Sequence, residues 1–217
     1  MNANIEYNLC DLDSSDIEIK EKITKAINFD ISSICVPYGY TKLCRSLIKN
    51  TTIVVANAID YPLGLSDTNS RNSLITNAIN NGAQKINIVM QNVYLANRKY
   101  DKIREDVQSN YKICQDKNVE ITYYLEYRIF THQSLIKACL LLLENNISKV
   151  YVSTGYMIDN PEDNIIATVL LNEKSKIKTV FSGNIWLKKH IDNLKKNHIM
   201  DMSVNTLEGL RLLNQYL

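Results

Sequence analysis

Glycine is scarce in this chain, with six in 217 residues. Neither G-x-G-x-x-G nor G-x-x-x-x-G-K-[ST] occurs, so there is no sequence case for a nucleotide-binding fold or its cofactors. Long apolar runs are missing too: the most apolar segment, Ala138 to Leu143, is far shorter than the roughly 20 residues that span a bilayer. No charge of one sign dominates. The net charge is +2 and the basic residues are scattered, which removes the electrostatic case for nucleic acid. The five cysteines include no C-x-x-C pair, and their odd number suggests reduced thiols in a cytoplasmic protein. Cys35 and Cys139, among apolar neighbours, read as core residues. His132, His190 and His198 lack ligand spacing and fall in or beside helical stretches, so they read as surface residues and no metal site is expected. The N-terminal stretch has neither a basic segment nor an apolar run, so no secretory signal is expected. The abundant residues are asparagine, lysine, isoleucine and tyrosine, a compositional drift that need carry no function.

Apolar β-branched runs alternate with amphipathic stretches along the whole length, the pattern of repeated βα units around a parallel sheet. Strands are expected at 5–9, 31–36, 52–59, 85–90, 119–127, 149–153, 177–182 and 199–203. Helices are expected between them, the first capped from Asp13-Ser14-Ser15-Asp16 and a long one over 99–117. Pro161 suits the first turn of the helix after the sixth strand. Eight such units without a linker are what one (β/α)8 TIM barrel over residues 1–217 requires. An open, doubly wound sheet would give the same alternation, since periodicity does not register closure.

The stretch Lys149-Val150-Tyr151-Val152-Ser153-Thr154-Gly155 resembles the sixth strand of the deoxyribose-phosphate aldolase family, a class I aldolase whose motif there is approximately Ile-Lys-Thr-Ser-Thr-Gly. Further resemblances follow in order along the chain. They are Ile5-Glu6-Tyr7-Asn8-Leu9 to Ile-Asp-His-Thr-Leu, Ser33-Ile34-Cys35-Val36 to Val-Cys-Val, and Asp60-Tyr61-Pro62-Leu63-Gly64 to Phe-Pro-x-Gly. Leu125-Glu126-Tyr127 and Phe181-Ser182-Gly183-Asn184-Ile185-Trp186 complete the set, the latter resembling Ser-Gly-Gly-Ile-Arg. No single match is specific, but several in the right order are.

In that family the sixth-strand lysine forms a Schiff base, a fourth-strand aspartate shuttles protons and a seventh-strand lysine lowers the first one's pKa. The resemblance places Tyr151, Asn87 and Val180 at these positions, and Thr122 at a further fifth-strand lysine. A phenol forms no imine, and an amine nucleophile needs help to lose its proton. The expectation is therefore a degenerate aldolase-like barrel, a pseudoenzyme kept to bind a small sugar-phosphate-like ligand or a protein partner. Two alternatives stay open: an active lyase, cleaving 2-deoxyribose 5-phosphate to glyceraldehyde 3-phosphate and acetaldehyde through a relocated lysine such as Lys149, and a structural subunit or homo-oligomer. Lys149 lies on the face of Tyr151, and Lys178 on that of Val180, each about 6.6 Å nearer the strand start. The other candidate catalytic positions are Tyr151 and Asn87. Candidate ligand contacts are Ser153, Thr154, Gly155, Gly183, Asn184 and Ser203, with Asp201 adding negative charge nearby. Glu6 and Glu126 are considered as an acid/base pair facing across the barrel, with a structural hydrogen-bonded role preferred. Trp186 reads as a core residue or an interface residue.

Overall fold

The computed structural model describes residues 3–10, 13–156 and 160–217. Its strands are β1 (Asn4–Asn8), β2 (Ser33–Pro37), β3 (Val54–Ile59), β4 (Lys85–Val89), β5 (Glu120–Tyr124), β6 (Lys149–Tyr151), β7 (Lys178–Ser182) and β8 (Asp201–Val204). All pair in parallel in sequence order, and β8 returns to β1 with Met202 opposite Ile5 and Ser203 opposite Glu6. That last pairing closes the sheet and sets aside the open alternative.

The helices are α1 (Asp16–Ala26), α2 (Thr41–Leu47), α3 (Thr68–Asn80), α4 (Asn92–Ala96), α5 (Tyr100–Asp116), α6 (His132–Glu144), α7 (Pro161–Ser175), α8 (Lys188–Lys196) and α9 (Leu207–Tyr216). Local chemistry fixes their starts. Ser15 and Glu18 form a reciprocal capping box on α1, while Asp67, Thr131 and Asn160 accept backbone N–H bonds at α3, α6 and α7. The segment expected as one helix over 99–117 is α5, with the short α4 before it. Arg98, at φ +54°, separates the two.

Strand alternation sorts the side chains. Ile34, Val55, Ile86, Ile88, Val150 and Phe181 face outward into two apolar clusters shared with the helices. The inward set includes many polar or small residues, with Glu6, Ser33, Cys35, Lys85, Asn87, Thr122, Tyr151 and Ser203 all buried. Apolar burial thus sits between sheet and helices, which leaves the barrel interior free to hold polar chemistry. All five cysteines are free and buried. Among the described residues no helix is long and apolar enough to cross a membrane.

Candidate functional site

The centre of the barrel is one bonded cluster. Glu6 Oε2 accepts from Lys85 Nζ at 2.9 Å, Ser33 Oγ at 3.0 Å and Asn87 Nδ2 at 3.1 Å. Its Oε1 accepts from Asn87 Nδ2 at 3.0 Å and Ser203 Oγ at 3.2 Å. Lys85 Nζ also donates to the Tyr151 hydroxyl at 2.6 Å. Burial works against both charges, but each outweighs that for the other. Lys85 and the surrounding donors hold the Glu6 carboxyl below its usual range, and Glu6 holds the Lys85 amine above the usual lysine range. The pair is therefore a carboxylate and an ammonium near neutral pH. Burial first, and then Glu6, push the Tyr151 phenol well above its ordinary value, so it stays neutral.

Above this cluster the interior is filled. Val89, Tyr124, Tyr151 and Val180 occupy one hydrogen-bonded row across β4 to β7. The rings of Tyr124 and Tyr151 lie 4.5 Å apart, and Tyr61 packs edge-on against Tyr124 at 5.8 Å. The Tyr61 hydroxyl donates to the Thr154 carbonyl at 2.8 Å, tying the loop after β3 to the loop after β6. The three motif positions Asn87, Tyr151 and Val180 thus all face the interior, Asn87 beneath the row to which Tyr151 and Val180 belong.

Lys149 and Lys178 behave differently. Lys149 Nζ lies 3.5 Å from Glu120 and 3.8 Å from Asp201, while Lys178 Nζ lies 2.7 Å from Asp201. These are the starts of β5 to β8, the end of the barrel opposite the βα loops. Asp201, expected near the ligand contacts, is instead the first residue of β8 and anchors that lysine pair together with Asn4.

The candidate ligand contacts are brought together at the loop end, but their donors are spent inside the protein. The Ser153 N–H donates to Ser182 Oγ at 3.1 Å, and the Gly155 N–H to Ser153 Oγ at 2.9 Å. Thr154 donates to Glu126 Oε1 through its N–H, at 2.8 Å, and through its hydroxyl. The Gly183 N–H donates to the Ser203 carbonyl at 3.0 Å, while Ser203 Oγ points at Glu6. Asn184 is half-buried in the loop after β7. Glu6 and Glu126 do not form a facing pair: Glu6 is committed to Lys85, and Glu126 to Thr154. Burial raises the Glu126 carboxyl despite these hydrogen bonds.

Two further expectations change. His190 is buried rather than on the surface, because its Nδ1 accepts the Trp186 N–H at 3.3 Å and its Nε2 lies 3.5 Å from Glu162. Trp186 is 50 % exposed and Ile185 takes the core position beside it, so the tryptophan is not a core residue. Among the described residues no group of His, Cys, Asp or Glu is arranged to hold a metal ion.

No family model matches the sequence. The deoxyribose-phosphate aldolase of Mycoplasma capricolum is 28 % identical over 180 residues, 82 % of this chain and 80 % of that protein. Deoxyribose-phosphate aldolase 1 of Mesoplasma florum is 29 % identical over 156 residues, 72 % of this chain and 70 % of that one. Among solved structures, the tetrameric deoxyribose phosphate aldolase from Aeropyrum pernix superposes with a TM-score of 0.86, at 13 % identity, over 99 % of this chain and 91 % of that one.

The chain is similar in sequence and in fold to the deoxyribose-phosphate aldolases.

Lys85 and Tyr124 are the interior residues that motif comparison with these aldolases passes over. Both were reachable by alternation: Lys85 stands two residues before Asn87, and Tyr124 two after Thr122, on the same strand faces. The closure that puts Glu6 against Lys85 is what no local pattern carries.

Proposed function

We propose that this deoxyribose-phosphate aldolase-like barrel does not run Schiff-base chemistry and serves as a small-ligand-binding protein. The observation that carries this is the Tyr151 hydroxyl, at the position matched to the imine lysine, accepting the Lys85 ammonium at 2.6 Å beneath stacked tyrosines. An imine nucleophile has to be a neutral amine within reach of a carbonyl. Lys85 is held protonated by Glu6, and Lys149 and Lys178 are paired with Asp201 at the far end. The five free thiols suit a reducing compartment, and we place the protein in the cytoplasm.

Borohydride trapping with deoxyribose 5-phosphate or acetaldehyde, read by intact mass and peptide mapping beside an active aldolase, tests this. No adduct is expected. An adduct mapped to Lys85, Lys149 or Lys178 would establish a displaced imine centre and the active-lyase alternative.

A scaffold or homo-oligomeric role is favoured by a separate observation. Tyr38, Leu63, Leu65, Val93, Ile129, Tyr156, Trp186 and Leu187 are exposed large apolar side chains on the βα-loop side of the strands or in the first turn of the helix that follows, where formal charge is sparse. On this reading the double variant Leu63→Asp/Leu65→Asp dissociates an assembly seen by light scattering. A wild-type chain that runs as a monomer at all concentrations removes the homo-oligomeric form of this role.

A further inference from the structure

Beside the closed mouth, between the loops after β1, β3, β6 and β8, lies a recess of about 210 Å³. Asn8, Asp13, Tyr61, Gly155, Tyr156 and Asn205 are among the residues lining it. What it can hold follows from which polar groups have bonding capacity left.

Three of the donors are occupied. The Gly155 N–H is bonded to Ser153 Oγ at 2.9 Å, the Tyr156 N–H to Thr154 Oγ1 at 3.2 Å and the Tyr61 hydroxyl to the Thr154 carbonyl at 2.8 Å. The Gly183 N–H close by is bonded to the Ser203 carbonyl. Among the described residues no lysine or arginine lines the recess. Gly155 holds the loop against Asn205, just after β8, at φ +76°, a backbone conformation that residues with a Cβ rarely adopt. Among the described residues an anion entering the recess would meet no cation, and the Asn205 amide is the side-chain N–H group on its wall.

The acceptors are in surplus. Asn8 is 2 % exposed, and its amide group is engaged with Tyr61, while its Oδ1 has no hydrogen-bond partner. A buried carbonyl oxygen left unmatched costs free energy that a donating ligand recovers. The exposed Asp13 carboxylate lies on the same lining and has no cation partner among the described residues. Two tyrosines, Tyr61 and Tyr156, complete the wall, and aromatic rings attract a cation by their negative faces.

We propose that this recess binds a small organic ammonium, through Asn8 Oδ1, the Asp13 carboxylate and the two tyrosines. The inference rests on the reading of the barrel as a ligand-binding protein and names the chemical class of that ligand. The volume limits it to a compact amine of a few heavy atoms. It also sets this mouth apart from an anion site at the same end of a barrel, where free backbone N–H groups face a phosphate.

The test is a titration of the ¹⁵N-labelled full chain with ethanolamine, with tetramethylammonium and with inorganic phosphate, following the Gly155 and Tyr156 amide resonances. Saturable shifts with ethanolamine and none with phosphate are expected. Asp13→Asn changes a surface carboxylate without touching the core, and is expected to weaken ethanolamine binding about tenfold, the scale of one charge-assisted contact. Saturation by tetramethylammonium as well supports the site and assigns more of the affinity to the rings. Saturable shifts with phosphate, no saturation with either ammonium, or undiminished affinity in Asp13→Asn would overturn the proposal. A borohydride adduct would end the reading it rests on without altering these titrations, so the two failures are told apart.

Discussion

Glu6 and Lys85 are each other's condition for being charged inside the barrel. Removing one strands the other, so Glu6→Gln and Lys85→Met should each cost about 3–5 kcal/mol in urea unfolding. The double substitution should cost much less than the sum, because neither charge is then left alone. The pH dependence has two limbs. The Glu6 carboxyl is depressed on folding, so its stabilisation is present above the ordinary carboxylate pKa and is lost as pH falls through the folded value. The Lys85 amine is raised, so its share is complete below the ordinary lysine pKa and is lost as pH rises through the folded value. Urea midpoints measured across pH should therefore be flat through neutrality, with an acid limb that becomes shallower in the double variant. Tyr151→Phe removes an acceptor from Lys85 and a donor to Glu6 while leaving the ion pair, and should cost about 1.5–3 kcal/mol by the same measurement.

At the scale of the elements, α1 offers the plainest test. The Ser15 N–H and hydroxyl both donate to Glu18 Oε2 at 2.7 Å, and the Glu18 N–H returns to Ser15 Oγ. Ser15→Ala should cost about 1 kcal/mol, a drop of roughly 2–4 °C in Tm by calorimetry. Such caps are local chemistry, which is why the starts of α1, α3, α6 and α7 are legible in the sequence. Strand ends are less so: β6 stops at Tyr151 rather than Ser153, because the following residues turn to bond Ser182 and Glu126. The short α4 has little helical periodicity to reveal it, being five residues capped by Gln91. In the candidate site, alternation places Asn87 and Tyr151 inside the barrel. Lys85 gains its meaning only from Glu6, 79 residues away, and that contact exists only once the sheet closes. The spent donors of Gly155 and Gly183 are likewise invisible to a motif, which records glycines but not where their N–H groups point.

The whole molecule is tied at one seam, where β1 and β8 pair through Asn4–Asp201, Ile5–Met202, Glu6–Ser203 and Tyr7–Val204. Both outer apolar clusters draw on strands and helices distant in sequence, so unfolding should be a single cooperative event. Far-ultraviolet and tyrosine near-ultraviolet circular dichroism should give superimposable urea transitions. Separated curves would show the barrel coming apart in pieces. The stacked rings of Tyr124 and Tyr151 offer a finer reading of the same object. A ring enclosed at 4.5 Å from its neighbour can turn over only when the wall around it dilates. Their two-fold flips should be slow enough to split the ring protons into separate resonances. The temperature at which those lines merge would then time the breathing of the barrel from its own interior.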